Sequence, residues 1–190
     1  MNDIILITGG ARSGKSATAE KIAAENGPVL YIATATACDE EMAERIKFHQ
    51  CNRPSDWITW ERHYGLANIE SGFDIGAYNT ILLDCVGNLL MGILYEEVPD
   101  ADKFETADFE KVVQASIAEI NSVCAFAGKN DKRVIFVTNE IGMGIVPETK
   151  YARYFRDALG HINKHVARLS DKVILMVSGI TVTIKDNTIS

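Results

Sequence analysis

Residues 9 to 16, Gly9-Gly10-Ala11-Arg12-Ser13-Gly14-Lys15-Ser16, satisfy the spacing G-x-x-x-x-G-K-[ST] in full. Glycines let such a loop curl so that successive backbone N–H groups point inward, and a helix opening behind it adds its positive dipole end. That arrangement suits the phosphates of a nucleoside triphosphate, with Lys15 reaching the β- and γ-phosphates and Ser16 offering a hydroxyl to Mg²⁺. A chance glycine-rich turn would match the same letters. The run, however, follows an apolar strand pattern and precedes a helical one, which is the context the chemistry requires. Phosphate chemistry of this kind also calls for an acid at the end of a neighbouring strand. Asp84, closing TILLD, is the expected metal organiser. Glu140, closing FVTNE, fits a metal or water partner and the cap of a following turn equally well.

A second concentration of chemistry lies at residues 45–54, RIKFHQCNRP. The chain carries a net charge of −7, yet Arg45, Lys47 and Arg53 surround His49 here with no acid among them. Asp39, Glu40, Glu41 and Glu44 immediately precede the run. Cations at the end of a helix over 39–50 would complement its dipole. The same cations would also receive an anion, and on a helix Arg45 and His49 share a face. On the residues alone the helix-end reading of His49 is the commoner one, since lone histidines are seldom catalytic. Arg153 and Arg156, three apart in YARYFRD, would hold phosphate or stand solvated, and the second is the commoner use. Trp57 and Trp60 would wall a base or pack a core, and core packing is commoner. His161 and His165 have i, i+4 spacing but no third ligand nearby, which favours an ordinary helix face, and His63 carries no pattern at all.

These groups need a scaffold, and the totals allow one. A chain of 190 residues, 47% hydrophobic and 24% charged, is expected to form a single globular domain over 1–190. Its acidic balance argues against a nucleic-acid or anionic-membrane binder, though not against a small basic pocket. Cys38, Cys51, Cys85 and Cys124 are widely spaced, as expected of reduced thiols. The opening MNDIILITGG has no basic leader and too short an apolar run for a signal or membrane helix, so a cytoplasmic location is expected. Near-continuous apolar runs at 4–8, 29–34, 80–84, 133–138 and 172–178 read as strands buried on both faces of a parallel sheet. TVTIK at 181–185 follows Gly179 closely and is expected to add an antiparallel edge strand. Helices are expected at about 15–26, 39–50, 86–96, 108–127 and 148–169. The stretch 52–79 is less regular, and 97–107 reads as an acidic exposed loop. This alternation implies an α/β fold, a mostly parallel sheet with helices on both faces.

Several stretches together resemble one family: GGARSGKS at 9–16, LYIAT at 30–34, DEEMAERIKFHQCNRPSDWITWE at 39–61, NEIGMGIVPE at 139–148 and VSGI at 177–180. The chain resembles the bifunctional adenosylcobinamide kinase / adenosylcobinamide-phosphate guanylyltransferases of cobalamin biosynthesis, essentially from end to end. The P-loop alone is shared by many folds. The ordered pair RI-x-x-H-x-x-x-RP-x-x-W and NE-x-GMGIVP is far more specific. The resemblance implies a RecA-like P-loop NTPase fold and a homotrimer. It implies adenosylcobinamide and its phosphate as acceptors, ATP and GTP as donors, and Mg²⁺ as cofactor. By position it makes His49 the residue that receives GMP. It places nucleotide contacts on Gly9 to Ser16, on Thr34, Ala35 and Thr36, on Gln50, Cys51, Asn52 and Arg53, on Glu61 and on Asp84. This chain departs from the family pattern at Phe48, where a second histidine is common, and at Gln50-Cys51-Asn52, where Lys-Asp-Gly is common. Asp84 stands where glutamate is frequent, one methylene shorter.

The expected chemistry suits those residues. Imidazole is largely neutral at pH 7, attacks an α-phosphate, and departs readily when a second nucleophile arrives. Neighbouring cations offset the charge on the α-phosphate and on pyrophosphate. Two other readings keep the phosphate loop: a plain small-molecule kinase with a structural His49, and a nucleotide-gated binding module in which NEIGMGIVPE switches.

Overall fold

A computed structural model describes residues 3–35, 40, 44, 54–98 and 105–187. Seven strands form one sheet: β1 (Ile4–Gly9), β2 (Val29–Ala33), β3 (Ile58–Glu61), β4 (Thr80–Asp84), β5 (Arg133–Val137), β6 (Lys172–Val177) and β7 (Ile180–Asp186). Their order is β3-β2-β4-β5-β1-β6-β7. All pairings are parallel except β6 with β7. The expected antiparallel edge strand is therefore present, and the two-residue turn at Ser178 and Gly179, both at positive φ, makes it. Around the sheet lie α1 (Lys15–Ala24), the single turn α2 (Ile69–Gly72), α3 (Val86–Glu97), α4 (Thr106–Lys129) and α5 (Lys150–Leu169). The helix expected at 39–50 lies, but for Glu40 and Glu44, outside the described residues.

Strand periodicity divides the core in two. On β1, Ile4 and Leu6 face one way, and on β5 so do Val134 and Phe136; they pack with Val86, Leu89, Ile120, Leu159 and Ile162 of α3, α4 and α5. Ile5, Ile7, Ile135 and Val137 face the other way, against Ala19 and Ala23 of α1. β1 and β5 are thus apolar on both faces, which explains their unbroken hydrophobic runs. α5 shows the expected stripe, with Leu159, Ile162 and Val166 buried.

β3 was not expected. It is a four-residue edge strand whose residues alternate between half-buried and exposed, so it shows no apolar run. Its packing is instead aromatic: Trp57, just before it, packs against Tyr31 at 6.2 Å, and Trp60 within it meets Phe73 edge-on at 5.3 Å. Both tryptophans are core-packing residues here, as the commoner use predicts.

Candidate phosphate-binding site

Parallel strands all end on one edge, and the register shows what gathers there. Glu61 pairs with Ala33, Ala33 with Asp84, and Asp84 with Val137, while Ile7 two residues before Gly9 also pairs with Val137. The phosphate loop therefore leaves β1 with Asp84 two strands away, across β5, a lateral separation of about 10 Å. Glu61 is four strands from β1, about 19 Å away. Asp84 and the loop are brought together; Glu61 stands apart from them.

The loop itself is shaped by its glycines. Gly9 has φ 151°, and a Cβ there would lie 2.3 Å from the Met176 carbonyl oxygen of β6, so only glycine passes. Gly14 caps α1 in the left-handed region at φ 95°, with no side chain bonded to the helix end. The first turn of α1 carries no acid, so its N–H groups and dipole face the loop without an internal anion. The loop is also held from both neighbouring strands: the Glu140 N–H donates to the Gly9 carbonyl at 3.0 Å, and the Gly179 N–H donates to the Ser13 carbonyl at 3.1 Å. Ser13 Oγ is buried and has no hydrogen-bond partner among the described residues. A buried hydroxyl in that state is costly unless something fills the loop. Gly10, Ala11 and Arg12 form the exposed outer turn, with Arg12 at φ 55°.

Lys15 is 8% exposed, and its Nζ donates to the Gly10 carbonyl at 2.7 Å. Burial lowers its pKa from the ordinary lysine value, opposed by Cys85 and Asp84. The ammonium thus bonds to a neutral carbonyl, while the nearby Asp84 carboxylate helps to keep it charged. Tyr31 Oη donates to Asp84 Oδ2 at 2.8 Å, fixing that carboxylate, whereas Oδ1 has no partner among the described residues. Thr34 is buried, its hydroxyl donating to the Cys85 carbonyl at 2.7 Å and its N–H to the Asp84 carbonyl at 3.2 Å. Thr34 therefore braces the backbone at Asp84. Ala35 is half-buried beside it, and Ser16 lies in the first turn of α1. The Cys85 thiol, next in the chain, is pushed up to about 11, chiefly by burial and next by Asp84.

Thr36, Arg45, Lys47, Phe48, His49, Gln50, Cys51, Asn52 and Arg53 lie outside the described residues. Glu140 accepts the Gly142 N–H at 2.6 Å, the capping alternative for that acid. Arg153 is engaged by backbone: its Nη1 donates to the Pro147 and Glu148 carbonyls at 2.9 and 2.6 Å. Arg156 lies 3.3 Å from Asp157. His161 packs edge-on against Phe109, His165 pairs with Asn121, and His63 lies 3.7 Å from Glu96. Among the described residues no group of three or more His, Cys, Asp or Glu is placed to hold a metal.

Sequence reasoning missed Tyr31, Thr138 and Asn163. Thr138, at the end of β5, donates to Asn163 Oδ1 at 2.7 Å, and Asn163 Nδ2 donates to the Asn139 carbonyl at 3.1 Å. A polar residue beside the Leu159–Ile162–Val166 stripe was the available signal.

A phosphate loop opening a helix, with an acid two strands away on a parallel sheet, defines a nucleotide-using α/β protein of the P-loop class. Residues 5–184 match the family model described as cobinamide kinase / cobinamide phosphate guanyltransferase. The bifunctional adenosylcobalamin biosynthesis protein CobU of Escherichia coli K12 is 44% identical over 182 residues, covering 96% of this chain and 99% of that protein. The protein of the same description from Salmonella typhimurium LT2 is 41% identical over the same coverage of each chain. The corresponding CobP of Pseudomonas aeruginosa is 35% identical over 187 residues, 97% of this chain and 98% of that protein. The chain belongs to the cobinamide kinase / cobinamide phosphate guanyltransferase family.

Proposed function

We propose that this chain, acting as one P-loop domain over 1–190, phosphorylates the aminopropanol hydroxyl of adenosylcobinamide and then converts the phosphate to adenosyl-GDP-cobinamide. ATP or GTP serves the first step and GTP the second. The single observation that carries the reading is the juxtaposition of Lys15 and Asp84 at the mouth of the phosphate loop, in a chain of this family.

In the kinase step, backbone N–H groups from Gly9 to Ser16 and the α1 terminus hold the triphosphate, and Ser13 Oγ gains the partner it lacks. Lys15 exchanges the Gly10 carbonyl for phosphate oxygens. The hydroxyl oxygen of the acceptor attacks the γ-phosphorus, the bond to the β-phosphate oxygen breaks to release the nucleoside diphosphate, and the hydroxyl proton passes to solvent water. The donor set at the loop fits Mg²⁺: a Ser16 hydroxyl and Asp84 Oδ1, which has no partner among the described residues, are hard oxygens of the kind that ion takes beside phosphate. Bound there, the ion would neutralise charge developing on the phosphate oxygens.

In the second step an imidazole nitrogen of His49 attacks the α-phosphorus of GTP. An N–P bond forms and the bond to pyrophosphate breaks. A phosphate oxygen of the acceptor then displaces His49, transferring GMP and restoring the free imidazole. Arg45 and Arg53 offset the charge on the phosphates. Thr34, Ala35, Thr36, Gln50, Cys51, Asn52 and Glu61 complete the proposed nucleotide contacts, and the proposed assembly is a cytoplasmic homotrimer. No described helix is long and apolar enough to cross a membrane.

The test uses α-labelled GTP with Mg²⁺, followed by denaturation. Label stable to base, lost in acid and absent from His49→Ala is the expected result. Full labelling of His49→Ala would remove that residue from the mechanism, and an unlabelled parent that still phosphorylates cobinamide would leave a plain kinase.

A further inference from the structure

The segment between β5 and α5 combines three properties. From Ile141 to Pro147 it contains no charged residue, in a chain that is 24% charged overall. Its apolar side chains face outward: Met143 is 83% exposed, Ile145 95% and Val146 66%. Exposed aliphatic side chains clustered in this way mark a surface that meets something. The segment is also tied down at both ends. Glu140 N–H bonds to the Gly9 carbonyl of the phosphate loop, and Arg153 of α5 grips the Pro147 and Glu148 carbonyls. An apolar surface is thus carried directly on the mouth of the phosphate loop.

We propose that Met143, Ile145 and Val146 form the docking surface for the acceptor, a corrinoid macrocycle, during transfer from the phosphate loop. The proposal rests on the functional reading above and names the part of the protein that reading leaves unassigned. Two arguments favour this occupant. The acceptor hydroxyl must reach a phosphate held at Gly9 to Ser16, and this segment is hydrogen-bonded to Gly9 itself. Charge is the second. A corrin ring holding Co(III) and an alkyl ligand is a broad disc with a net positive charge, apolar at its methyl-bearing ring and polar at its amide arms. The segment offers it an uncharged apolar centre bracketed by Glu140 and Glu148, on a protein of net charge −7.

The experiment compares the parent with the double variant Met143→Ser/Ile145→Ser; both side chains are exposed, so folding is spared. Adenosylcobinamide binding is followed by equilibrium dialysis through its visible absorbance. Covalent labelling by GTP and the sedimentation coefficient are measured in parallel. The expected result is at least a tenfold weaker hold on adenosylcobinamide, with GTP labelling and sedimentation unchanged. Equal binding by parent and variant overturns the proposal. So does a change in sedimentation, which would assign the surface to a second copy of the chain. A parent that neither binds nor phosphorylates adenosylcobinamide overturns the functional reading, and this proposal with it.

Discussion

Tyr31 Oη donates a 2.8 Å hydrogen bond to Asp84 Oδ2, joining neighbouring strands at the mouth of the phosphate loop. The tyrosine is itself buried and lies against Trp57. A carboxylate held by one oxygen presents the other in a defined direction. Tyr31→Phe keeps the ring and removes that hydrogen bond. The expected outcome is a loss of about tenfold in kcat/KM for the nucleotide, with stability lowered by only ~1 kcal/mol. Steady-state kinetics beside urea unfolding separate the two effects; unchanged kinetics would show that Asp84 needs no such restraint.

Lys15 presents the opposite balance. Burial lowers its pKa, so the charged form is less comfortable in the folded chain than in the unfolded one. That cost is present at neutral pH and fades as pH rises through the lowered value toward the ordinary 10.5. Lys15→Met is expected to lower phosphoryl transfer by on the order of 10²–10³-fold. Its unfolding midpoint is expected to equal or exceed the parent's. A marked fall in midpoint would mean that the bond to the Gly10 carbonyl outweighs the burial cost.

Cys85 and Cys124 are both pushed up to about 11, with burial the leading cause. Their thiols stay protonated well above neutrality in the folded chain. At pH 8 each should react with iodoacetamide on the order of 10²-fold more slowly than in urea, as mapped by peptide mass. Because unfolding lets these thiols ionise near 9, they favour the folded state below that pH and cease to do so as pH climbs to about 11. Rapid labelling of Cys85 in the native protein would show that the mouth of the loop opens to solvent.

The sheet was legible because its inner strands are apolar on both faces, and runs such as IILIT and TILLD admit few other structures. The phosphate loop was legible because strain and close approach restrict it to glycine at Gly9 and Gly14. β3 was hidden because an edge strand need bury only one face, and four residues leave too short a pattern to count. The partners of polar groups were hidden for a different reason. Arg153 could have met phosphate or solvent, and only the path of the chain before α5 delivers the Pro147 and Glu148 carbonyls to it. Likewise no spacing connects Tyr31 to Asp84, 53 residues away. Strand order alone makes them neighbours.

That strand order also sets when the site can come into being. β1 carries the phosphate loop and is made first, yet it pairs only with β5 and β6. A chain emerging from the ribosome therefore holds its loop sequence long before it holds the loop's shape, because residues 133–137 and 172–177 must arrive to flank it. The loop's shape therefore depends on strands made late, and any nucleotide site built on it would follow their pairing with β1.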